Sequence, residues 1–236
     1  MPDIRISELP QASGVTADDL IPLVDSGTTR RATAAQFRDF LAAASGAVAV
    51  PHVPGRWYMA HRGVVTTGTA GASLMQLVPF ALTEALTINA LGARVTTAFS
   101  GGLFGLAIYA HDPLTGNPSG PALAQVTGLE TTTTGVRSAN LATPAQLAPG
   151  IWWAAMLMDN ATAAIQSVAL TSADQAHWIG DASLPVVSSA AFNAQGARTV
   201  TGSSYAGGFI DLAGASFGAI STSGGPALCF RVASVP

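Results

Sequence analysis

The chain has 236 residues, enough for one full-sized domain and a small appendage. Charged residues make up only 10% of it and hydrophobic residues 49%; the basic residues are all arginine, and the net charge is -3. Because these arginines are scattered and only Arg30 and Arg31 are adjacent, the sequence has no basic patch suited to phosphates. We therefore expect no nucleic-acid binding.

Residues 1–43 form the first predicted unit. Short apolar runs, the second of them Leu20–Val24 before the turn residues Asp25-Ser26-Gly27, predict two short strands. Thr33 and Gln36 have the spacing of a helix capping box, which predicts a helix from Ala34 to Ala43. The unit has few large apolar side chains, so we expect a partner or further copies of the chain to stabilise it.

Residues 44–55 combine small side chains with Pro51 and Pro54, a composition that favours an extended linker. From residue 56 to 236, apolar residues recur mostly with a period of two between turn residues. The predicted strands are Leu82–Ile88, Gly92–Ala98, Leu103–Ala110, Ala122–Leu129, Gly135–Ala142, Ile151–Asp159, Ala164–Leu170, Phe209–Leu212 and Ala227–Ala233. Many short strands without intervening helices predict a mainly β fold, a jelly-roll-like antiparallel β-sandwich carrying a small N-terminal attachment segment.

Several features bear on location. The first residues lack the apolar stretch of a signal peptide, so we expect synthesis in the cytoplasm. The uncharged stretch 138–158 is interrupted by Pro144, Pro149 and Gly150, which argues against membrane insertion.

The lone Cys229 lies in an apolar run and is expected to be an inert strand residue.

Motifs for catalysis are weak. Residues 214–218 match the Gly-x-Ser-x-Gly pattern, but no acid or histidine follows Ser216, so a glycine-rich turn explains them better. The four histidines are too far apart for a paired zinc motif, and Asp159-Asn160 lacks the neighbouring carboxylates that calcium requires. We expect no enzyme, metal or cofactor; a carboxylate pair that cleaves polysaccharide is a distant alternative.

The N-terminal pattern Ile6-Ser7-Glu8-Leu9-Pro10, Leu20-Ile21-Pro22-Leu23-Val24 and Thr28 to Thr33 resembles the start of phage tail-fibre, head-fibre and related virion proteins. A second block, from Ala107-Ile108-Tyr109 through Gly120-Pro121 to Leu147–Trp153, looks like a jelly-roll module of phage fibres. The resemblance implies a homotrimeric fibre or spike on the surface of a phage or gene-transfer-agent-like particle. Residues 1–43 would dock on capsid or tail proteins, and the sandwich would bind a host surface polysaccharide. The alternative is a purely structural spike base or connector that carries a separate receptor-binding protein.

Two loops are the predicted glycan site. Trp178 would be the stacking platform, with His177 and Asp181 hydrogen-bonding sugar hydroxyls. His111, Asp112 and Asn117 would contribute if strand pairing brings both loops to one end of the sandwich. Plain packing is the alternative for Trp178. Of the adjacent Trp152 and Trp153, one is expected to face the core and the other solvent or a neighbouring subunit.

Overall fold

The computed structural model describes residues 20–25, 28–33, 52–61, 65–68, 72, 74–168, 198–219 and 225–236. The chain divides into two units, residues 1–51 and 52–236. In the first, strands β1 (Leu20–Asp25) and β2 (Thr28–Thr33) pair as an antiparallel hairpin. The predicted helix Ala34–Ala43 lies outside the described residues.

The second unit is an antiparallel β-sandwich, as predicted. Within the described residues, sheet I runs in the order β13 (Gly218–Ala219), β12 (Arg198–Thr201), β5 (Leu74–Leu82), β10 (Gly150–Met158), β7 (Leu103–Asp112) and β8 (Asn117–Glu130). Sheet II runs in the order β14 (Gly225–Pro226), β11 (Ala164–Val168), β6 (Leu86–Thr97), β15 (Cys229–Ser234) and β3 (Trp57–Met59). Two further strands join this sheet: β4 (Val65–Gly68) pairs with β11, and β9 (Gly135–Leu147) pairs with β6.

Apolar side chains from both sheets meet in the interior of the sandwich. Phe80, Leu106 and Ile108 from sheet I and Ile88 and Phe230 from sheet II are almost completely buried there. Leu106 and Ile108 share this face because side chains two residues apart in a strand point the same way. Each such side chain contributes about 1.5–3 kcal/mol when fully buried, so this layer is the main source of stability.

A second apolar cluster covers the outer face of sheet I. It contains Tyr109, Trp153 and Leu157, and the chain segment 202–217 packs over it through Phe209 and Leu212. Hydrogen bonds fasten this segment, including one from the Tyr109 hydroxyl to the Ile210 carbonyl at 2.9 Å and one from the Leu212 N–H to the Gly120 carbonyl at 2.9 Å. Strands β5, β10 and β7 of sheet I are therefore covered on both faces.

The two adjacent tryptophans point to opposite faces of β10, as the alternation predicts. Trp152 is half-buried and packs against the interior cluster, and its Nε1 donates to the Ala148 carbonyl at 2.9 Å. Trp153 lies on the outer face and is 0% exposed. The expectation that one tryptophan faces solvent or another subunit is wrong, because segment 202–217 of the same chain covers Trp153.

Two predicted strands are wrong. The predicted strand Leu82–Ile88 instead covers the end of β5, a bend at residues 83–85 and the start of β6. The prediction missed this break because no glycine or proline marks it in the sequence. Phe209–Leu212 is irregular chain after a short 3-10 helix (Tyr205–Gly207) and lies on sheet I through side-chain packing. The other predicted strands overlap strands of the structure, namely β6, β7, β8, β9, β10, β11 and β15.

Cys229 lies in strand β15, as predicted, where it is half-buried and burial raises the pKa of its thiol. Residues 138–158, for which the sequence argued against a membrane span, form most of strand β9 and all of strand β10. In the described ranges of the chain, no helix is long and apolar enough to cross a membrane.

Candidate binding site

Three of the predicted site residues lie at one end of the β7–β8 hairpin. Asp112 pairs with Asn117 in register, and His111 pairs with Pro118. Between them residues 113–116 turn the chain, with Gly116 at a φ of 70° and its N–H donating to the Asp112 carbonyl at 2.8 Å. Strand pairing alone therefore brings His111, Asp112 and Asn117 together.

The Asp112 carboxylate holds the turn. Its Oδ1 accepts from the Leu114 N–H at 2.9 Å, and its Oδ2 accepts from the Thr115 hydroxyl at 2.8 Å. The Leu114 N–H bond, with help from Thr115, lowers the pKa of Asp112 below its usual value. Asn117 Nδ2 donates to the Thr115 carbonyl at 3.3 Å. Both side chains thus stabilise the turn, and sugar binding by them stays a prediction.

His111 connects the hairpin end to the buried aromatic cluster. Its Nδ1 lies 3.1 Å from Trp153 Nε1, which can only donate. The imidazole and indole rings are stacked at 6.3 Å between centroids with 21° between their planes. Burial lowers the pKa of His111, against the opposing effect of Asp112. A neutral His111 that accepts at Nδ1 carries its proton on Nε2.

The second predicted loop, with His177, Trp178 and Asp181, lies outside the described residues. Its approach to the hairpin end, and the role of Trp178 as a platform, stay predictions. Among the described residues, no three His, Cys, Asp or Glu side chains come together in the way a metal site would need.

The hairpin tip also carries an apolar residue that the sequence reading missed. Leu114 is 94% exposed, and the Asp112 contacts that form the turn hold its backbone in place. The signal in the sequence was a leucine inside an Asp-Pro-Leu-Thr-Gly turn, because turn residues place their side chains at the surface.

A further group that the sequence reading missed lies on the outer face of sheet II. Trp57 is 42% exposed there, with the Arg231 guanidinium 5.8 Å from its ring centroid. Arg231 Nε donates to Asn89 Oδ1 at 2.8 Å, and its Nη2 donates to Asn140 Oδ1 at 2.9 Å. We call these four residues the Trp57–Arg231 cluster. The alternation of Trp57, Tyr58 and Met59 was the available signal, because it places Trp57 and Met59 on one face.

Ser216 of the Gly-x-Ser-x-Gly pattern and Asp159 of the Asp159-Asn160 pair both lie in irregular chain. Ser216 is an exposed residue of irregular chain that leads into strand β13, whereas a nucleophile elbow lies between a strand and the helix that follows it. Asp159 instead organises a loop by accepting from the Leu103 N–H at 2.9 Å and from Asn160 Nδ2 at 2.7 Å.

Compared with protein-family models and with curated proteins, the chain matches none of them.

Proposed function

We propose that the chain is a fibre or spike protein of a phage-like particle, in which residues 1–43 attach to capsid or tail proteins and the sandwich binds a host surface glycan. The observation that carries this proposal is the division of the chain. A small N-terminal unit, whose sequence resembles virion docking segments, precedes a β-sandwich that begins at His52. A rigid sandwich that presents loops at its ends is a suitable scaffold for recognition.

In this proposal the protein acts without catalysis or a cofactor, as a homotrimer on the particle surface after synthesis in the host cytoplasm. The low fraction of charged residues and the small apolar content of the N-terminal unit support self-association. Light scattering of the full chain at micromolar concentration should give the mass of a trimer. A stable monomer under those conditions would contradict the trimer.

Deletion of residues 1–43 tests the attachment. The deletion keeps His52, whose N–H and Nδ1 contact Glu84 Oε1 at 2.8 and 2.6 Å, and Gly55, whose N–H donates to the Val232 carbonyl at 2.8 Å. The sandwich should therefore keep its circular dichroism spectrum and its melting temperature, while the deleted chain should be missing from purified particles. Incorporation equal to that of the full chain would refute attachment through residues 1–43.

The glycan site of this proposal combines Trp178, His177 and Asp181 with His111, Asp112 and Asn117 of the hairpin end. Replacing Trp178 by alanine should remove a stacking contact of roughly 1 kcal/mol, lower glycan affinity and leave the melting temperature nearly unchanged. A large loss of stability would instead assign Trp178 to packing.

One observation favours the alternative, a structural connector. The side chains of Asp112 and Asn117 make hydrogen bonds that stabilise the turn. The exposed Leu114 at the tip of the hairpin offers a protein partner an apolar contact. A glycan array probed with the full chain separates the two functions, because a connector should bind no glycan on it.

A further inference from the structure

Charge is distributed unevenly over the sandwich. The strands of sheet II, as the structure describes them, contain no aspartate or glutamate, and two of their three arginines, Arg94 and Arg231, lie on the outer face. The third, Arg137, lies opposite the interior residue Ala93 and donates to backbone carbonyls. The whole chain, by contrast, has more acidic than basic residues and a net charge of -3. An anionic ligand would therefore meet a locally favourable field on sheet II that the composition of the chain conceals.

Arg231 is the central charge of this face. Of the five N–H groups of its guanidinium, one on Nε and one on Nη2 donate to the amide oxygens of Asn89 and Asn140. Neutral amides orient the side chain without cancelling its charge, and within the described residues no carboxylate pairs with it. Arg231 is thus oriented by neutral groups, and among the residues that the structure describes no carboxylate compensates its charge and no acceptor takes its remaining N–H groups.

Strand pairing holds Trp57 beside this charge. Strand register places Trp57, Arg231 and Ala90 in one row, and Asn140 follows on the next strand. The neighbouring row contains Gly92, where an added Cβ atom would lie 3.0 Å from the Arg137 carbonyl oxygen and from Ser138 Cβ, and at an ordinary contact distance of 3.4 Å from Trp57 Cζ3. The Trp57 ring therefore lies over this row of the sheet, while the residue stays 42% exposed.

We infer that the Trp57–Arg231 cluster is a binding site for an acidic saccharide, with a sugar ring packed on the Trp57 indole and the sugar carboxylate paired with Arg231. The inference rests on the proposed glycan-binding function and adds a second saccharide site to it, on the outer face of sheet II rather than at the hairpin end. An indole provides a flat apolar platform, and a guanidinium binds a carboxylate through charge-assisted hydrogen bonds. The side chains of Asn89 and Asn140 keep their Nδ2 groups as donors for hydroxyls, because both amides use Oδ1 toward Arg231.

A second copy of the chain fits this face less well than an acidic saccharide does. Burying Arg231 in a dry contact between identical faces would leave a charge without a carboxylate partner, at a cost that a saccharide carboxylate removes. Arg94 lies on the same face, exposed and opposite Val136 in register. It is four residues from Ala90, roughly 13 Å along the strand, so an extended acidic chain would reach both arginines.

The test uses the full chain and paired probes. Oligosaccharides that contain galacturonate, glucuronate or sialate are arrayed beside their carboxyl-reduced neutral forms, with a DNA duplex as a second polyanion. The wild-type chain should bind at least one acidic probe about tenfold to a hundredfold more tightly than its neutral form, the range expected for a charged hydrogen-bonded pair. Arg231→Gln should abolish this preference, and Trp57→Ala should weaken binding of both forms.

The controls are matched for exposure. Leu123→Ala removes an apolar side chain that is 47% exposed on β8 of sheet I and should leave binding unchanged. Arg94→Gln should weaken binding of long probes more than short ones. Melting curves establish whether each variant is folded. If Arg231→Gln is unfolded, the test uses Trp57→Ala, because Trp57 is an exposed residue of the short strand β3.

The outcomes separate the inference from the proposed function. Glycan binding without a preference for the carboxylate, or with a preference that survives Arg231→Gln, overturns the inference and leaves the glycan function standing. Tighter binding of DNA than of every acidic saccharide, lost in Arg231→Gln, overturns it in favour of a nucleic-acid surface. Binding of no probe overturns the inference, and the glycan function falls with it only if the full chain also binds nothing on the glycan array of the proposed function.

Discussion

Trp153 donates the hydrogen of its indole Nε1 to His111 Nδ1 across the paired strands β10 and β7, over 3.1 Å. The indole is completely buried, whereas the imidazole is partly exposed at the hairpin end. Because an indole N–H can only donate, His111 supplies the acceptor that a buried donor needs. This contact couples the shape of the hairpin end to the packing of the aromatic cluster under segment 202–217.

Replacing His111 by phenylalanine should therefore destabilise the sandwich. Phenylalanine keeps an aromatic ring beside the Trp153 indole but removes the acceptor, which leaves a buried donor unsatisfied at a cost of about 1–3 kcal/mol. Urea denaturation followed by tryptophan fluorescence measures the loss. Leu114→Ala is the matched control in the same hairpin, and it should change nothing because that side chain is 94% exposed. Equal midpoints for His111→Phe and wild type would contradict this account.

A second histidine should make the stability of the sandwich depend on pH. His61 is 5% exposed and packs edge-on against Phe80, with 6.0 Å between ring centroids. The carbonyl groups of Val78 and Pro79 lie nearby, yet among the described residues neither ring nitrogen makes a hydrogen bond of normal geometry. Burial lowers the pKa of His61 to about 4.

Between pH 6.5 and about 4 the unfolded chain binds a proton at His61 and the folded chain does not. Stability should therefore fall as the pH is lowered through this window, by up to about 3 kcal/mol. His61→Leu should remove this loss while keeping the packing. The free energy of unfolding measured at pH 7.5, 6, 5 and 4.5 checks the prediction; parallel curves for the two proteins would show that His61 is not responsible.

Glu84 should make stability depend on pH in a separate, more acidic range. Burial would raise the pKa of this carboxyl, but the His52 N–H and imidazole outweigh that effect and lower it from 4.5. A lowered carboxyl pKa contributes stability above about pH 4.5 that is lost as the pH falls further. Glu84→Gln should therefore make the stability curve flatter below pH 4.5 and leave its shape between pH 6.5 and 5 unchanged.

The sequence predicts strands well where alternation is clear and turn residues mark the ends. Leu103–Ala110 lies within β7 because Phe104, Leu106 and Ile108 face the interior and alternate with Ala107 and Tyr109, which pack on the other face. Strand β5 was missed because it is buried on both faces, so it shows no alternation, and Pro79 within it is typical of a strand end. Phe209–Leu212 is apolar for a different reason, since it covers sheet I without joining it.

The candidate site is harder to predict, because residue type does not show how a side chain is used. Asp112 and Asn117 are typical of polar binding loops, but the same short side chains stabilise turns, and only the hydrogen bonds distinguish the two roles. The Trp57–Arg231 cluster joins residues 174 positions apart, which only the pairing of β3 with β15 brings together.

Segment 202–217 packs closely on sheet I at Gly105. At Gly105 an added Cβ would lie 2.9 Å from Phe209 Cε2 and 3.0 Å from the Val126 carbonyl oxygen. Gly105→Ala should therefore push the Phe209 ring away and destabilise the sandwich by about 1–3 kcal/mol, and Phe209→Ala should lose a similar amount through lost packing.

Together the two changes should cost less than their sum, because the space left by the ring accepts the new methyl group. A coupling energy of about 0.5–2 kcal/mol in urea denaturation is expected, the range for residues in contact. Gly105→Ala combined with Phe217→Ala is the control pair, since Phe217 packs on the same cluster but is not among the atoms closest to Gly105. If that pair and the Phe209 pair were both additive, segment 202–217 would not pack on Gly105 in the way described.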